Sequence, residues 1–467
     1  MAGAPEPTRG RGLEPWLRPA AAAPGVRPPL AVAVLFVALL AVLTAVVGTS
    51  RAVTGAAVPG PARMAVELGA ARAGDCGPGW GTGWLTAVQA SPLDPAYRGA
   101  TLRLIVHPQL TGSQVRVRLS NAHGDAPLVV GAASVARAGS AAAVVADTLR
   151  PVTFDGRPGA VLAPGRDLVS DPVPVLAEAG RALAVSLHLS TVPRVGSVHP
   201  VALQTSFLSR PGDFTRTAGA APFGRRVTSW PVLTGLDVLL PRPTNAVVAI
   251  GDSITDGYGS RVDTEQRWTD ALSRRLAEAT EPERMAVLNA GLSANQLLAD
   301  DPQRGGDSPI TRFGRDVAAA SGVTDVILHV GTNDVAAGRS AEEIIGGLRQ
   351  FAERARAAGL RVLLTTITPA RGGSHGTRTA VATRNAVNAW LREHGREHAD
   401  GVLDFAAAVA DRAAPTRLAA AYDSGDGLHL SAAGYRALAA AVPRHALTGS
   451  PCRIADPHGT RLLVSGR

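Results

Sequence analysis

Three residues of this chain have the types and spacing of a nucleophile, its base and an orienting acid. Ser253 stands in Gly251-Asp252-Ser253, directly after the apolar run Ala246–Ile250. A serine hydroxyl is a weak nucleophile until a neighbouring base accepts its proton. His429 is the base, and Asp426, three residues earlier, can reach its Nδ1 proton within one turn. A carboxylate so placed fixes the imidazole tautomer and stabilises the imidazolium as it forms. The order Ser, Asp, His is that of α/β-hydrolases, although their Gly-x-Ser-x-Gly elbow is missing. Taken singly, each of these residues reads as a turn or helix cap; their conjunction points to catalysis. Asp252 and Asp256 read as shaping the serine loop, His329 as a core histidine in an apolar strand, and His375 as a solvated loop histidine. Asn295 and Arg312 read as possible supports of the pocket, outside the site itself.

The elements that must position these residues fall into two regions. From about residue 245, apolar runs at Ala246–Ile250, Met285–Leu288, Val326–Val330, Val362–Ile367 and Val402–Phe405 recur at near-regular intervals. Helical patterns lie between them: Trp268, Leu272 and Leu276 are four apart, and Ser340 with Glu343 makes a capping box before a helix that Gly359 ends. Continuous apolar strands alternating with helices predict a parallel sheet covered on both faces. Active residues in such sheets sit at the carboxyl ends of the strands, which brings Gly251-Asp-Ser253, Asn289-Ala-Gly291 and Gly331-Thr-Asn-Asp334 to one edge. Residues 83–240 read differently. Thr101–His107, Gln114–Asn121 and Ala182–Ser190 alternate apolar with polar or small residues, broken by turn clusters such as Asn121-Ala-His-Gly124. That period of two predicts strands with one buried face, hence an antiparallel β-sandwich of the accessory or carbohydrate-binding kind.

Four blocks, Gly251-Asp-Ser-Ile-Thr-Asp-Gly257, Gly291, Gly331-Thr-Asn-Asp334 and Asp426-x-x-His429, occur in order over residues 245–445. Together they resemble the SGNH or GDSL hydrolases. The β-region with Arg267-Trp268, Asn289-x-Gly-x-Ser-x-Asn295 and Tyr422-Asp-Ser-Gly-Asp426 is similar to a subgroup of arylesterases and acylhydrolases linked to xylan degradation; Thr332 stands where that subgroup often has Ile. The resemblance implies a three-layer α/β/α, flavodoxin-like domain with a parallel sheet. It also implies a serine esterase working through an acyl-enzyme, without cofactor or metal. The N–H groups of Ser253 and Gly291 and the side-chain amide of Asn333 are the expected oxyanion donors. The expected substrate is a small ester or an acylated polysaccharide, with acetyl groups on a carbohydrate favoured. Lipase-like hydrolysis, acyl transfer by the same triad, and an inactive glycan-binding surface protein are the alternatives.

Composition and the N-terminal segment set the compartment. No charge lies between Arg27 and Arg51, and Leu30–Val47 is almost wholly apolar behind four arginines. That length suffices for a membrane span with a cytoplasmic N-terminus, or for a signal peptide cleaved near Ala56. The chain is therefore expected at the outer face of the cell membrane, or secreted if cleaved. Cys76 and Cys452 would then meet an oxidising compartment and pair, unless geometry leaves both as thiols. The formal net charge of +9 comes from arginine alone and is scattered without basic runs, which argues against a nucleic-acid partner. The absence of lysine excludes a Walker-type phosphate loop. The expected organisation is a tail (1–28), a membrane anchor or signal peptide (29–49), a linker (50–74), the β-sandwich (75–242), the hydrolase domain (243–447) and a C-terminal tail (448–467).

Overall fold

A computed structural model of the chain describes residues 77–279, 283–371 and 373–449. The anchor at 29–49, Cys76 and Cys452 lie outside them. Among the described residues no helix is long and apolar enough to cross a membrane.

The C-terminal region is a five-stranded, wholly parallel sheet: β1 (Ala246–Gly251), β2 (Ala286–Gly291), β3 (Val323–His329), β4 (Arg361–Thr365) and β5 (Gly401–Leu403). The strand order is 2-1-3-4-5, the flavodoxin-like doubly wound order. Alternate residues of each strand serve opposite faces. Val247 and Ala249 join Trp268, Leu272, Leu276, Tyr435 and Leu438 in one layer. Val248 and Ile250 join Ile344, Leu348, Phe351, Val387 and Leu391 in the other. The helices supplying those layers are α2 (Trp268–Ala277) and α6 (Ala432–Ala440) on one face, and α4 (Ala341–Ala357) and α5 (Arg378–His398) on the other. Two short helices, α1 (Ser253–Asp256) and α3 (Thr332–Ala336), leave the carboxyl ends of β1 and β3. The Ser340–Glu343 capping box forms as the sequence implies, and Gly359 closes the helix at φ 77°. One boundary differs from expectation. Phe405 belongs to a helix, not to β5, because Asp404 caps the turn by accepting from the Ala407 N–H.

The N-terminal region is antiparallel throughout, in sheets of four, three and seven strands. Its strands fall where alternation predicts, but Ala100–Val106 is buried on both faces. Arg103 occupies the second face at no cost in unmet hydrogen bonds: its guanidinium donates to Ser186 Oγ and to the carbonyls of Ala142 and Thr217. This region is more intimately joined to the parallel sheet than an appended module would be. All described residues fall in one compact unit, and a single apolar cluster runs from Leu102, Val117 and Leu236 to Val248, Leu288 and Val326.

Candidate active site

The serine stands at the turn where β1 becomes α1. Gly251 must be glycine there, since a Cβ would lie 2.1 Å from the His329 carbonyl oxygen. Asp252 caps α1, its Oδ1 accepting from the Ile254 N–H at 3.0 Å. Burial, opposed by that bond and reinforced by nearby Asp334 and Asp256, pushes the Asp252 carboxyl up to about 7. Ser253 is the first helical residue, and Gly257 ends the single turn at φ 94°.

Ser253 Oγ lies 2.9 Å from His429 Nε2, and His429 Nδ1 lies 2.6 Å from Asp426 Oδ2. The other Asp426 oxygen accepts from the backbone N–H groups of Leu428 (2.9 Å) and His429 (2.8 Å), so one carboxylate folds its own loop and orients the ring. Burial raises the Asp426 carboxyl, but the hydrogen bonds from His429 and Leu428 outweigh it and bring it down to about 2. It is therefore ionised at neutral pH, and its 46% exposed side chain leaves water to solvate the charge as well. Tyr258, 47% exposed, sets its ring 4.5 Å from that of His429, and its carbonyl accepts from the Tyr435 hydroxyl at 2.6 Å.

The loop after β2 is held from four sides. Asp256 Oδ2 accepts from the Ser293 N–H (2.9 Å) and Oγ (2.6 Å). Asn333 Nδ2 donates to the Asn295 carbonyl at 2.9 Å, and Asp334 accepts from the N–H groups of Leu297 and Leu298. Arg312, fully buried, donates to Asn295 Oδ1 (2.9 Å) and to the Gly251 and Ala290 carbonyls (3.0 and 2.7 Å), with Asp316 as its counter-ion at 2.8 Å. Asn295 and Arg312 thus form the support that the sequence suggested. An amide has two N–H bonds, so Asn333 keeps one beyond its bond to Asn295.

Gly291 is a correction to the expected oxyanion set. Its N–H donates to Asn289 Oδ1 at 2.8 Å and is not free. What this position requires is close approach: a Cβ would lie 2.2 Å from the Asp256 nitrogen, where α1 crosses β2. Asn289 completes the junction, its Nδ2 donating to the Thr255 carbonyl (2.7 Å) and Thr269 Oγ1 (2.9 Å). Ala294 departs from the usual backbone, at φ 64°, and its N–H has no acceptor among the described residues; the same holds for Ser253. Neither Ala294 nor Tyr258 carries a mark in the sequence that separates it from other loop residues.

The remaining histidines divide. His329 is buried and core-like: Nδ1 meets Thr365 Oγ1 at 2.6 Å, Phe405 lies edge-on at 5.2 Å, and burial pulls the ring down to about 3. His375 is half-buried, not fully solvated as expected; burial first, then the basic neighbours His429, Arg304 and Arg384, lower its titration. No group of three or more His, Cys, Asp or Glu residues is arranged to hold a metal ion among the described residues.

The order-2-1-3-4-5 sheet, with hydroxyl, imidazole and carboxylate aligned at its carboxyl edge, defines an α/β/α hydrolase. Residues 249–437 match the GDSL-like lipase/acylhydrolase family, and this domain belongs to it; the protein is an enzyme of the esterase and acylhydrolase type. Among solved structures, the chain is similar to a protein assigned to the G-D-S-L lipolytic family from Desulfitobacterium hafniense. The identity is 24%, covering 44% of this chain and 99% of that one, with a TM-score of 0.35. An aryl esterase of M. smegmatis gives 20% identity, coverages of 42% and 95%, and a TM-score of 0.33. A carbohydrate acetylesterase from Sinorhizobium meliloti gives 21%, 42% and 94%, and 0.31. Among curated proteins none matches the chain.

Proposed function

We propose that the protein is an exported serine esterase that removes acyl groups, acetyl foremost, from a carbohydrate. The observation that carries the catalytic part is the unbroken line Ser253 Oγ, His429 Nε2, His429 Nδ1, Asp426 Oδ2, at 2.9 and 2.6 Å. His429 takes the Ser253 proton as Oγ bonds to the ester carbonyl carbon. It then returns that proton to the departing alcohol as the tetrahedral intermediate collapses to the acyl-enzyme. Water repeats the sequence, activated by the same imidazole, and frees the carboxylic acid. Asp426 stays ionised throughout and holds Nδ1–H. The oxyanion donors left free are the Ser253 N–H and the second amide N–H of Asn333. The Ala294 N–H stands in for that of Gly291.

The surface position of Asp426 and the exposed Tyr258 ring beside the base suit an ester carried on a bulky alcohol, such as a sugar. Export rests on the apolar segment Leu30–Val47. A fluorophosphonate should label Ser253 and no other serine, and Ser253→Ala should abolish ester hydrolysis with folding intact. Labelling elsewhere, or an active Ser253→Ala, refutes the catalytic assignment. Acetylated xylan beside p-nitrophenyl esters of rising chain length tests the substrate; preference for long chains with xylan untouched refutes the carbohydrate reading. Recovery of the full chain only in the cytosolic fraction refutes export.

A further inference from the structure

The β-domain grips the nucleophile helix from behind. His199, at the end of strand Val195–His199, is 3% exposed, with its ring tilted against Trp230 at 5.4 Å. Its Nδ1 is 2.9 Å from the Ala87 carbonyl oxygen, and its Nε2 is 3.1 Å from both the Val201 carbonyl oxygen and Asp256 Oδ1. Every neighbour is an oxygen that accepts. An N–H on Nε2 donates toward the Val201 carbonyl and Asp256 Oδ1, so the ring supplies that carboxylate with a donor from the β-domain.

Asp256 is the last residue of α1, three after Ser253, and 1% exposed. With one oxygen toward His199 and the other on Ser293, this carboxylate ties the nucleophile helix to the loop after β2 and to the β-domain. The residues after His199 continue the grip. The Ala202 carbonyl accepts from the Arg267 guanidinium, and the Leu203 carbonyl accepts from the Asp263 N–H at 3.0 Å. The Asp263 carboxylate accepts from Gln204 Nε2 (2.8 Å), the Thr205 N–H (2.6 Å) and Thr205 Oγ1 (2.6 Å). Loss of the His199 partner leaves Asp256 Oδ1 buried without its donor, while Oδ2 keeps the two bonds from Ser293. An unmet carboxylate oxygen at this position favours a shift of Asp256 toward another donor, and that shift moves α1 and the Ser293 turn with it.

We infer that His199 is a positioning residue for ester hydrolysis: through Asp256 it holds α1 and the Ser293 turn so that Ser253 Oγ stays aligned with His429. This rests on Ser253 being the nucleophile, which fluorophosphonate labelling of the wild type checks separately. A misplacement of about 1 Å costs on the order of 10²-fold in rate. The test compares His199→Phe, which keeps a ring against Trp230 but no donor, with His199→Gln, which keeps a donor but no ring. Arg118→Ala is the control. Arg118 also joins the domains, donating to the Ala319 carbonyl at 2.9 Å, but it does so at the amino ends of the strands, away from the site.

Melting temperature, kcat, KM and the rate of fluorophosphonate labelling are measured for each on p-nitrophenyl acetate. The expected result is a kcat and labelling rate about 10²-fold lower in His199→Phe, with KM within a few-fold. His199→Gln should recover much of that loss, and Arg118→Ala should keep near-normal kcat whatever its melting temperature. Near-normal kcat in folded His199→Phe overturns the inference. So does His199→Phe outperforming His199→Gln, or failure of both to fold while Arg118→Ala folds, since each assigns His199 to packing or stability alone. Labelling that spares Ser253 in the wild type instead overturns the catalytic assignment on which the inference rests.

Discussion

Asp252 offers a quantitative test of the electrostatics beside the nucleophile. Its carboxyl titrates near 3.8 in an unfolded chain and at about 7 in the fold, where it is wholly buried. Between those values the folded state binds the proton and the unfolded state has released it. Stability from this group is therefore fully present below pH 4, falls as pH rises toward 7, and is flat beyond. The separation, about three pH units at 1.36 kcal/mol each, amounts to about 4 kcal/mol. Asp252→Asn removes the titration but keeps an oxygen for the Ile254 N–H, so the cap survives. The assay is urea unfolding of both proteins at pH 4, 5, 6, 7 and 8, read as the difference between them, which cancels the other buried carboxyls. That difference should shift by about 4 kcal/mol in favour of the variant between pH 4 and pH 8. A difference independent of pH would refute the reasoning and mean that Asp252 is ionised in the fold across this range.

Three further expectations concern the rate. Asn333→Ala should lower kcat on the order of 10²–10³-fold with a smaller change in KM, because the lost donor serves charge that appears only in the transition state; near-normal kcat in a well-folded variant removes Asn333 from the oxyanion site. Asp426→Asn should lower kcat on the order of 10⁴-fold by inverting the His429 tautomer, while melting temperature falls little; steady-state kinetics at pH 7 to 8 checks it, and a loss below tenfold refutes the orienting role. Gly291→Ala should reduce both melting temperature and kcat, because its Cβ meets the Asp256 nitrogen and displaces α1; a stable, fully active variant shows that the crossing can widen.

How much of this was legible in the sequence follows from which forces are local. The parallel strands stand out because burial on both faces leaves uninterrupted apolar runs, and the helix starting at Ala341 because its cap lies within four residues. Ser253, Asp426 and His429 are readable because each sits in a short motif whose geometry is set by its own turn. Phe405 reads as a strand residue because an apolar residue at a helix start looks the same in sequence as one at a strand end; only Asp404 and the Ala407 N–H decide it. Arg103 broke the one-faced strand pattern because its guanidinium is satisfied by carbonyls at 142 and 217, far away in the chain.

Gly291 shows the same limit inside the site. A glycine near a catalytic turn is needed either for a free N–H or for room, and the one-letter code does not distinguish the two. Here the Asn289 side chain occupies the N–H and the Asp256 nitrogen occupies the room, so the requirement is steric. The donor that the loop still offers comes from Ala294, whose left-handed backbone no side chain announces. That backbone is sustained by the surrounding bonds from Asp256, Asn333, Asp334 and Arg312, which come from three other segments of the chain. The catalytic side chains are written locally, whereas the frame that aims them is assembled from distant residues, His199 of the β-domain among them.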